Sequence, residues 1–209
     1  MEILTTDPES AEPAVVQTVS RVLMGGGIVA MRTDTVYGLL ASVDRPDALK
    51  KLVHLKVRPS DKPFVLLASD WIAVRAVTSH LPPVARALGS RYWPGPLTLV
   101  LPGNEDLPQE VRAAGPTVAV RIPGDALILA ILREFRGAVV APSANLPGQP
   151  PATTIEEVAE VFDGDIDLAV DSGPARLSQA STIINCTGFG GEILRRGPVM
   201  PSPEELAIG

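Results

Sequence analysis

Apolar residues recur in two rhythms along this chain. Between residues 11 and 24, Val15, Val19, Val22 and Leu23 return at helical intervals, and Gly25-Gly26-Gly27 stops the pattern. The same spacing predicts helices over 46–56, with Pro46 in the first turn, over 82–92 after Pro82-Pro83, and over 125–135. Thr154-Ile155-Glu156-Glu157 opens another helix, with Thr154 as N-cap and Glu157 placed to complete a capping box. The second rhythm is the short unbroken apolar run, bounded by turn residues, that reads as a buried strand. Such runs cover Ile28–Met31, Phe64–Ala68, Leu97–Leu101, Val118–Ile122 and Ala138–Ala141, with shorter ones near 168–171, 181–185 and 192–195. Strands and helices alternate over the first two thirds of the chain, and strands dominate afterwards. That order predicts an α/β fold around a mixed sheet, in one domain spanning 1–209, with residues 200–209 the segment most prone to be a mobile tail.

Composition narrows the class. With 209 residues, 45% of them hydrophobic and 20% charged, the chain can bury a sizeable core. A net charge of −6 argues against broad nonspecific binding of nucleic acid, although a local basic cleft is compatible with it. The single cysteine, Cys186, forms no internal disulfide, the N-terminus is acidic, and no apolar run approaches the ~20 residues of a membrane helix. These features predict a soluble cytoplasmic protein without a membrane partner. Neither a G-x-x-x-x-G-K-[ST] loop nor a G-x-G-x-x-G turn is present. With only His54 and His80, a zinc site or a Ser-His-Asp triad is a poor fit, and Cys186 reads as a small buried hydrophobe.

The candidate chemistry lies in loops. Thr33-Asp34-Thr35-Val36-Tyr37-Gly38 follows the first apolar run. Lys56-Val57-Arg58-Pro59-Ser60-Asp61-Lys62-Pro63 sets three cations across a helix end and a proline turn. Then come Thr117-Val118-Ala119-Val120-Arg121, Ala141-Pro142-Ser143-Ala144-Asn145, Ser181-Thr182 and Arg195-Arg196-Gly197. Cations beside Gly, Pro and Ser suit a polyanion pocket, because small residues let backbone N–H groups approach the ligand. An arginine ending a strand, as Arg121 does, is placed for a bidentate pair with a carboxylate. Taken singly, each segment also reads as an ordinary turn, strand end or solvated basic cluster.

In order and at matching spacing, the six segments resemble the YrdC family, over about Ala14 to Val199. The resemblance implies a twisted open mixed sheet flanked by helices around a concave cleft. It implies synthesis of threonylcarbamoyl-AMP from L-threonine, bicarbonate or CO2, and ATP, with release of pyrophosphate. That is the first step of a tRNA adenosine modification, completed by a downstream tRNA threonylcarbamoyltransferase. By the resemblance, Lys56 and Arg58 carry catalysis, and Arg58, Lys62, Thr117, Ser143, Asn145 and Arg195 bind ATP. Thr35, Tyr37, Arg121, Ala141 and Ser181 bind L-threonine, and Mg²⁺ is held mainly by the ATP phosphates. Two positions depart from the family pattern: Arg32 stands where a proline is usual, and Leu67 where a histidine is common. The length implies the short form, without a C-terminal extension. The alternative is an RNA-binding module using the same cleft without catalysis, against which stand the acidic balance and the 4% aromatic content. No general base stands out, and Asp34 is the nearest carboxylate.

Overall fold

The apolar runs become neighbours in one sheet. The computed structural model describes residues 1–7, 10–57, 63–112, 115–177 and 179–209, so that Arg58 and Lys62 lie outside the described residues. The strands are β1 (Glu2–Thr5), β2 (Val29–Arg32), β3 (Tyr37–Ser42), β4 (Val65–Leu67), β5 (Leu97–Pro102), β6 (Thr117–Arg121), β7 (Val139–Val140), β8 (Leu168–Asp171), β9 (Thr182–Asn185) and β10 (Glu192–Arg195). The helices are α1 (Pro13–Met24), α2 (Pro46–Leu55), α3 (Trp71–Val77), α4 (Pro83–Tyr92), α5 (Gln109–Arg112), α6 (Ala126–Phe135), α7 (Ile155–Phe162) and α8 (Pro203–Leu206). Among the described residues, ten strands join in the order β1-β8-β2-β3-β7-β4-β6-β5-β9-β10. Parallel pairs (β1·β8, β2·β8, β4·β6, β5·β9) mix with antiparallel ones (β2·β3, β3·β7, β4·β7, β5·β6, β9·β10), as the alternation of elements predicts.

Side chains alternate across the sheet, and the two faces bury different helices. One face carries Ala30, Leu39, Leu66, Leu99, Val118, Val120 and Ile184 against α2, α3, α4, α5 and α7. The other carries Val29, Met31, Leu40, Leu67 and Val170 against α1 and α6. On this second face the run of β6, β5, β9 and β10 contributes no residue to the helix-covered core. The sheet is therefore open there, and its floor carries Thr98, Ala119 and Arg121 beside Val100 and Ile183.

Local chemistry explains the element ends. Proline occupies the first turn of α1, α2, α4 and α8, where its missing N–H costs nothing. Asp70 caps α3, its carboxylate accepting from the Ile72 and Ala73 amides, and Asp125 caps α6 by accepting from Ile128. Thr154 caps α7 as read from the sequence, but the reciprocal half of the box differs: the Glu157 carboxylate reaches the amide and hydroxyl of Thr153 instead of the Thr154 amide. A full capping box occurs instead at α8, between Ser202 and Glu205.

Several elements were not foreseen. β3 (Tyr-Gly-Leu-Leu-Ala-Ser) has every residue buried, so it shows no alternation to mark it as a strand. β1, α3, the one-turn α5 and α8 are further elements beyond those expected from the apolar pattern. The expected strand at Ala138–Ala141 is shorter, Val139–Val140. Residues 200–209, expected as a mobile tail, carry α8, whose Glu205 accepts from the Tyr92 hydroxyl and pairs with Arg91 at 2.9 Å. Cys186 is buried directly after β9, and burial pushes its thiol up to about 12. No helix among the described residues is long and apolar enough to cross a membrane.

Candidate active site

The Thr33–Val36 connection joins β2 to β3 as a hydroxyl-stapled turn. The Thr33 hydroxyl donates to the Val36 carbonyl at 2.8 Å and accepts from the Thr35 amide at 3.1 Å. It also lies 2.8 Å from the Thr35 hydroxyl. The turn presents Asp34 to Arg121 at the end of β6, with Arg121 Nη1 to Asp34 Oδ1 at 2.8 Å. The two side chains are only 5% and 9% exposed. Burial drags the Arg121 guanidinium down, and Asp34 partly offsets this. Among the described residues, Arg121 Nε and Asp34 Oδ2 are buried without a hydrogen-bond partner. Gly124 keeps this corner tight: a Cβ there would meet the Gly95 Cα at 3.3 Å and Asp34 Oδ2 at 3.4 Å.

A second arginine approaches from the edge of the sheet. Arg195, partly exposed at the end of β10, donates from Nε to the Ser181 carbonyl at 2.9 Å and from Nη2 to the Ser181 hydroxyl at 3.2 Å. Desolvation lowers its pKa, and the neighbouring Arg121 charge lowers it further. Like charges at this proximity favour an anion between them. The Ser181 hydroxyl is fixed from below by Thr98 of β5 at 2.8 Å. Thr98 is the one hydroxyl in the apolar run Leu97–Leu101, and that interruption of the run is the sequence signal for its role.

A third wall comes from the loop after β7. Lys56, at the C-cap of α2, is 6% exposed and directs its ammonium into this loop. It donates to the Ser143 carbonyl at 2.7 Å, to the Asn145 carbonyl, and to Asn145 Oδ1 at 3.1 Å. The Ser143 hydroxyl donates to Asn145 Oδ1 at 2.6 Å. Lys56 thus shapes the Ser143–Asn145 loop.

These walls enclose a recess of about 120 Å³ lined by Thr35, Val65, Arg121, Ala141, Ser143, Ser181 and Arg195, among others. This is below the ~300 Å³ lower bound of drug-sized pockets and suits a small amino acid or a phosphate. Beyond Asn145, a larger groove of about 620 Å³ runs past Gln149, Pro150, Pro151 and Thr153 to α7. Six positions singled out from the sequence therefore meet in one recess: Thr35, Arg121, Ala141, Ser143, Ser181 and Arg195. Asn145 borders the groove, and Lys56 holds the loop between the two cavities.

Two positions stand apart. Tyr37 points to the opposite face of the sheet, is fully buried, and donates from its hydroxyl to the Gly173 carbonyl at 2.8 Å. Burial pushes that phenol up to about 12. Thr117 shares a face with Arg121 but lies at the far end of β6, opposite Pro102 and ~13 Å along the strand. Arg32, with no role in the sequence reading, forms a buried pair with Asp125 at 3.4 Å and donates to the Pro174 carbonyl. It thereby ties the threonine turn to the cap of α6. Leu67 sits beside Arg121 across the β4·β6 pair but is wholly buried in the α1/α6 core. Among the described residues no group of three His, Cys, Asp or Glu side chains gathers as a metal cage.

Comparison with known proteins agrees with this geometry. The Sua5/YciO/YrdC family model, described as telomere recombination, matches residues 21–197. A threonylcarbamoyl-AMP synthase of Bacillus subtilis is 39% identical over 209 residues, which is 100% of this chain and 59% of that protein. One of Pyrococcus abyssi is 34% identical over 209 residues, 100% of this chain and 62% of that protein. The crystal structure of P. abyssi Sua5 complexed with L-threonine superimposes with a TM-score of 0.90 at 34% identity, covering 94% of this chain and 58% of that one. The chain thus spans about 60% of the length of these relatives. With that match over most of its length, an open mixed sheet in common and a recess at the cleft, the chain belongs to the Sua5/YciO/YrdC family.

Proposed function

We propose that this chain makes threonylcarbamoyl-AMP from L-threonine, bicarbonate or CO2, and ATP, releasing pyrophosphate. The observation that carries this reading is the convergence of Arg121 and Arg195 on one small recess that also presents the hydroxyls of Thr35, Ser143 and Ser181 beside apolar side chains such as Val65 and Ala141. Two guanidiniums and one neutralising carboxylate leave positive charge for a carboxylate and a phosphate to share. The threonine-bound Sua5 structure and the synthase names of the relatives support the same reading.

In this reading Arg121 takes the threonine carboxylate, while Thr35 and Ser181 offer hydroxyls to the amino acid. The neutral threonine amine attacks the carbon of CO2 and gives up a proton to solvent, forming an N-carboxylate; starting from bicarbonate, a C–O bond breaks as well and water leaves. An oxygen of that group attacks the α-phosphorus of ATP, the bond from the α-phosphorus to its bridging oxygen breaks, and pyrophosphate leaves with the electron pair. Arg195 and the Ser143–Asn145 loop stand where the two substrates meet, and the larger groove beside Asn145 is open to the rest of the nucleotide. Arg58 and Lys62 add phosphate-binding cations on the strength of the family pattern. Mg²⁺ enters as the counter-ion of the triphosphate. Among the described residues no group of side chains makes a cage for it. Among the described residues no His, Asp or Glu lines the recess, so that in this reading proximity and fixed charge supply the acceleration. The product would pass to a tRNA-modifying transferase.

Pyrophosphate release from the purified protein with ATP, Mg²⁺ and bicarbonate, with and without L-threonine, tests the reading. Threonine-dependent release with threonylcarbamoyl-adenylate detected by mass spectrometry is expected. Release independent of threonine would overturn it. Because Thr35, Ser143 and Ser181 put hydroxyls into the recess, serine should substitute for threonine better than valine does. Arg195→Ala should lower kcat/KM by about 10²–10³, the cost of a lost oxyanion donor, with folding intact.

A further inference from the structure

The Arg195-Arg196-Gly197 segment contains a residue that the proposed function leaves unused. After β10 the chain folds back across the start of β9. A Cβ on Gly197 would lie 2.4 Å from the Thr182 amide nitrogen, 2.6 Å from the Ala180 carbonyl oxygen and 2.7 Å from the Ser181 carbonyl carbon. All three atoms are backbone, so no side chain can rotate out of the way. The φ of Gly197 lies outside the left-handed region, so space and not conformation demands glycine. Thr182 closes the same contact from its side: its hydroxyl donates to the Val199 carbonyl at 2.6 Å and accepts from the Val199 amide at 3.0 Å.

The two backbones in contact are those that carry the edge wall of the recess. Ala180, Ser181 and Arg195 all line it, and Arg195 grips Ser181 through both its carbonyl and its hydroxyl. The strap 197–199 therefore presses on the residues that set the distance between the Ser181 hydroxyl and the Arg195 guanidinium. We propose that Gly197 is a positioning residue for substrate binding. Its bare backbone seats the strap against residues 180–182, and this seat fixes the Ser181–Arg195 wall against which the amino acid and the phosphate meet. The proposal rests on the synthase reading for the identity of the ligands.

Relieving a 2.4 Å contact to ordinary van der Waals distance requires a shift of about 1 Å, and misplacement of that size at a reacting centre can cost about 10²-fold. The test is L-threonine affinity by titration calorimetry, together with kcat and KM for pyrophosphate release. It uses wild type, Gly197→Ala, Thr182→Val, Thr182→Ser and Gly188→Ala. Gly188 is a matched control in the turn after β9, where an added Cβ meets nothing within 4 Å. Gly197→Ala should weaken threonine binding and raise its KM at least tenfold. Thr182→Val, which loses the clasp without adding bulk to the strap, should move the same constants by a smaller factor. Thr182→Ser should restore them, and Gly188→Ala should leave them unchanged. Wild-type threonine affinity in a folded Gly197→Ala protein would overturn the proposal. If Gly197→Ala does not fold, unaltered affinity in Thr182→Val would do the same. A wild-type protein that fails to bind L-threonine would instead remove the functional reading, and this proposal with it.

Discussion

At the scale of single residues, the site is a set of charges whose partners decide what each can do. Arg121 and Asp34 form a buried pair, and removing one member strands the other. Arg121→Ala should therefore cost about 3–5 kcal/mol of stability in urea denaturation, in addition to abolishing activity. Replacing both, with Asp34→Leu and Arg121→Met, should recover most of that stability and none of the activity. The pair would then be shown to serve the ligand and not the fold. Lys56 differs, because its ammonium is spent on the 143–145 loop. Lys56→Ala should cost about 1.5–3 kcal/mol by thermal unfolding, and pyrophosphate release should fall with it, since the loop loses its anchor. The sequence disclosed which residues to watch, because the hydroxyls and cations flank apolar runs. It could not disclose that Lys56 points at Asn145, that Tyr37 faces away from the recess, or that Thr98 supports Ser181. The Lys56 and Thr98 contacts span 89 and 83 positions of chain and the Tyr37 hydroxyl reaches Gly173 across 136, so all three depend on strand order.

At the scale of elements, caps and register set the precision of the site. Asp70 caps α3 with two amide bonds, and Asp70→Ala should cost about 1 kcal/mol, measured by chemical denaturation. Its carboxyl is held below the ordinary range chiefly by the Ala73 amide. The stabilisation is therefore present above the unfolded-state pKa and is lost as the pH falls through the folded value. Glu205 follows the same sign, its carboxyl lowered first by the Ser202 amide and further by the Tyr92 hydroxyl. Acidification should thus release α8 from α4 ahead of global unfolding. Amide exchange at Leu206 and Ala207 should accelerate below the usual carboxylate range, and unchanged protection there would refute the latch. Helices with a polar face were legible from periodicity, whereas β3 was not, because a strand covered on both faces has no alternation to read. The capping box at α8 was legible in Ser202-Pro203-Glu204-Glu205 and was missed because the segment is so short.

At the scale of the molecule, the cleft exists because helices cover only part of one sheet face. β9 and β10 close the edge, and with them come Ser181, Arg195 and the strap that follows. The one thiol of the chain, Cys186, is buried at the end of that same β9, its amide bonded to the Val100 carbonyl. A maleimide or disulfide reagent reaches it when this edge parts from β5 or when the helix-covered core around the thiol opens. Cys186 is therefore a built-in clock for the opening of the ligand-binding edge, needing no engineered label. Its modification rate in native buffer should be slow, should rise as denaturant opens the edge, and should fall when threonine and ATP join β9 to β10 across the recess. Equal rates with and without substrates would mean that the edge opens independently of what the recess holds.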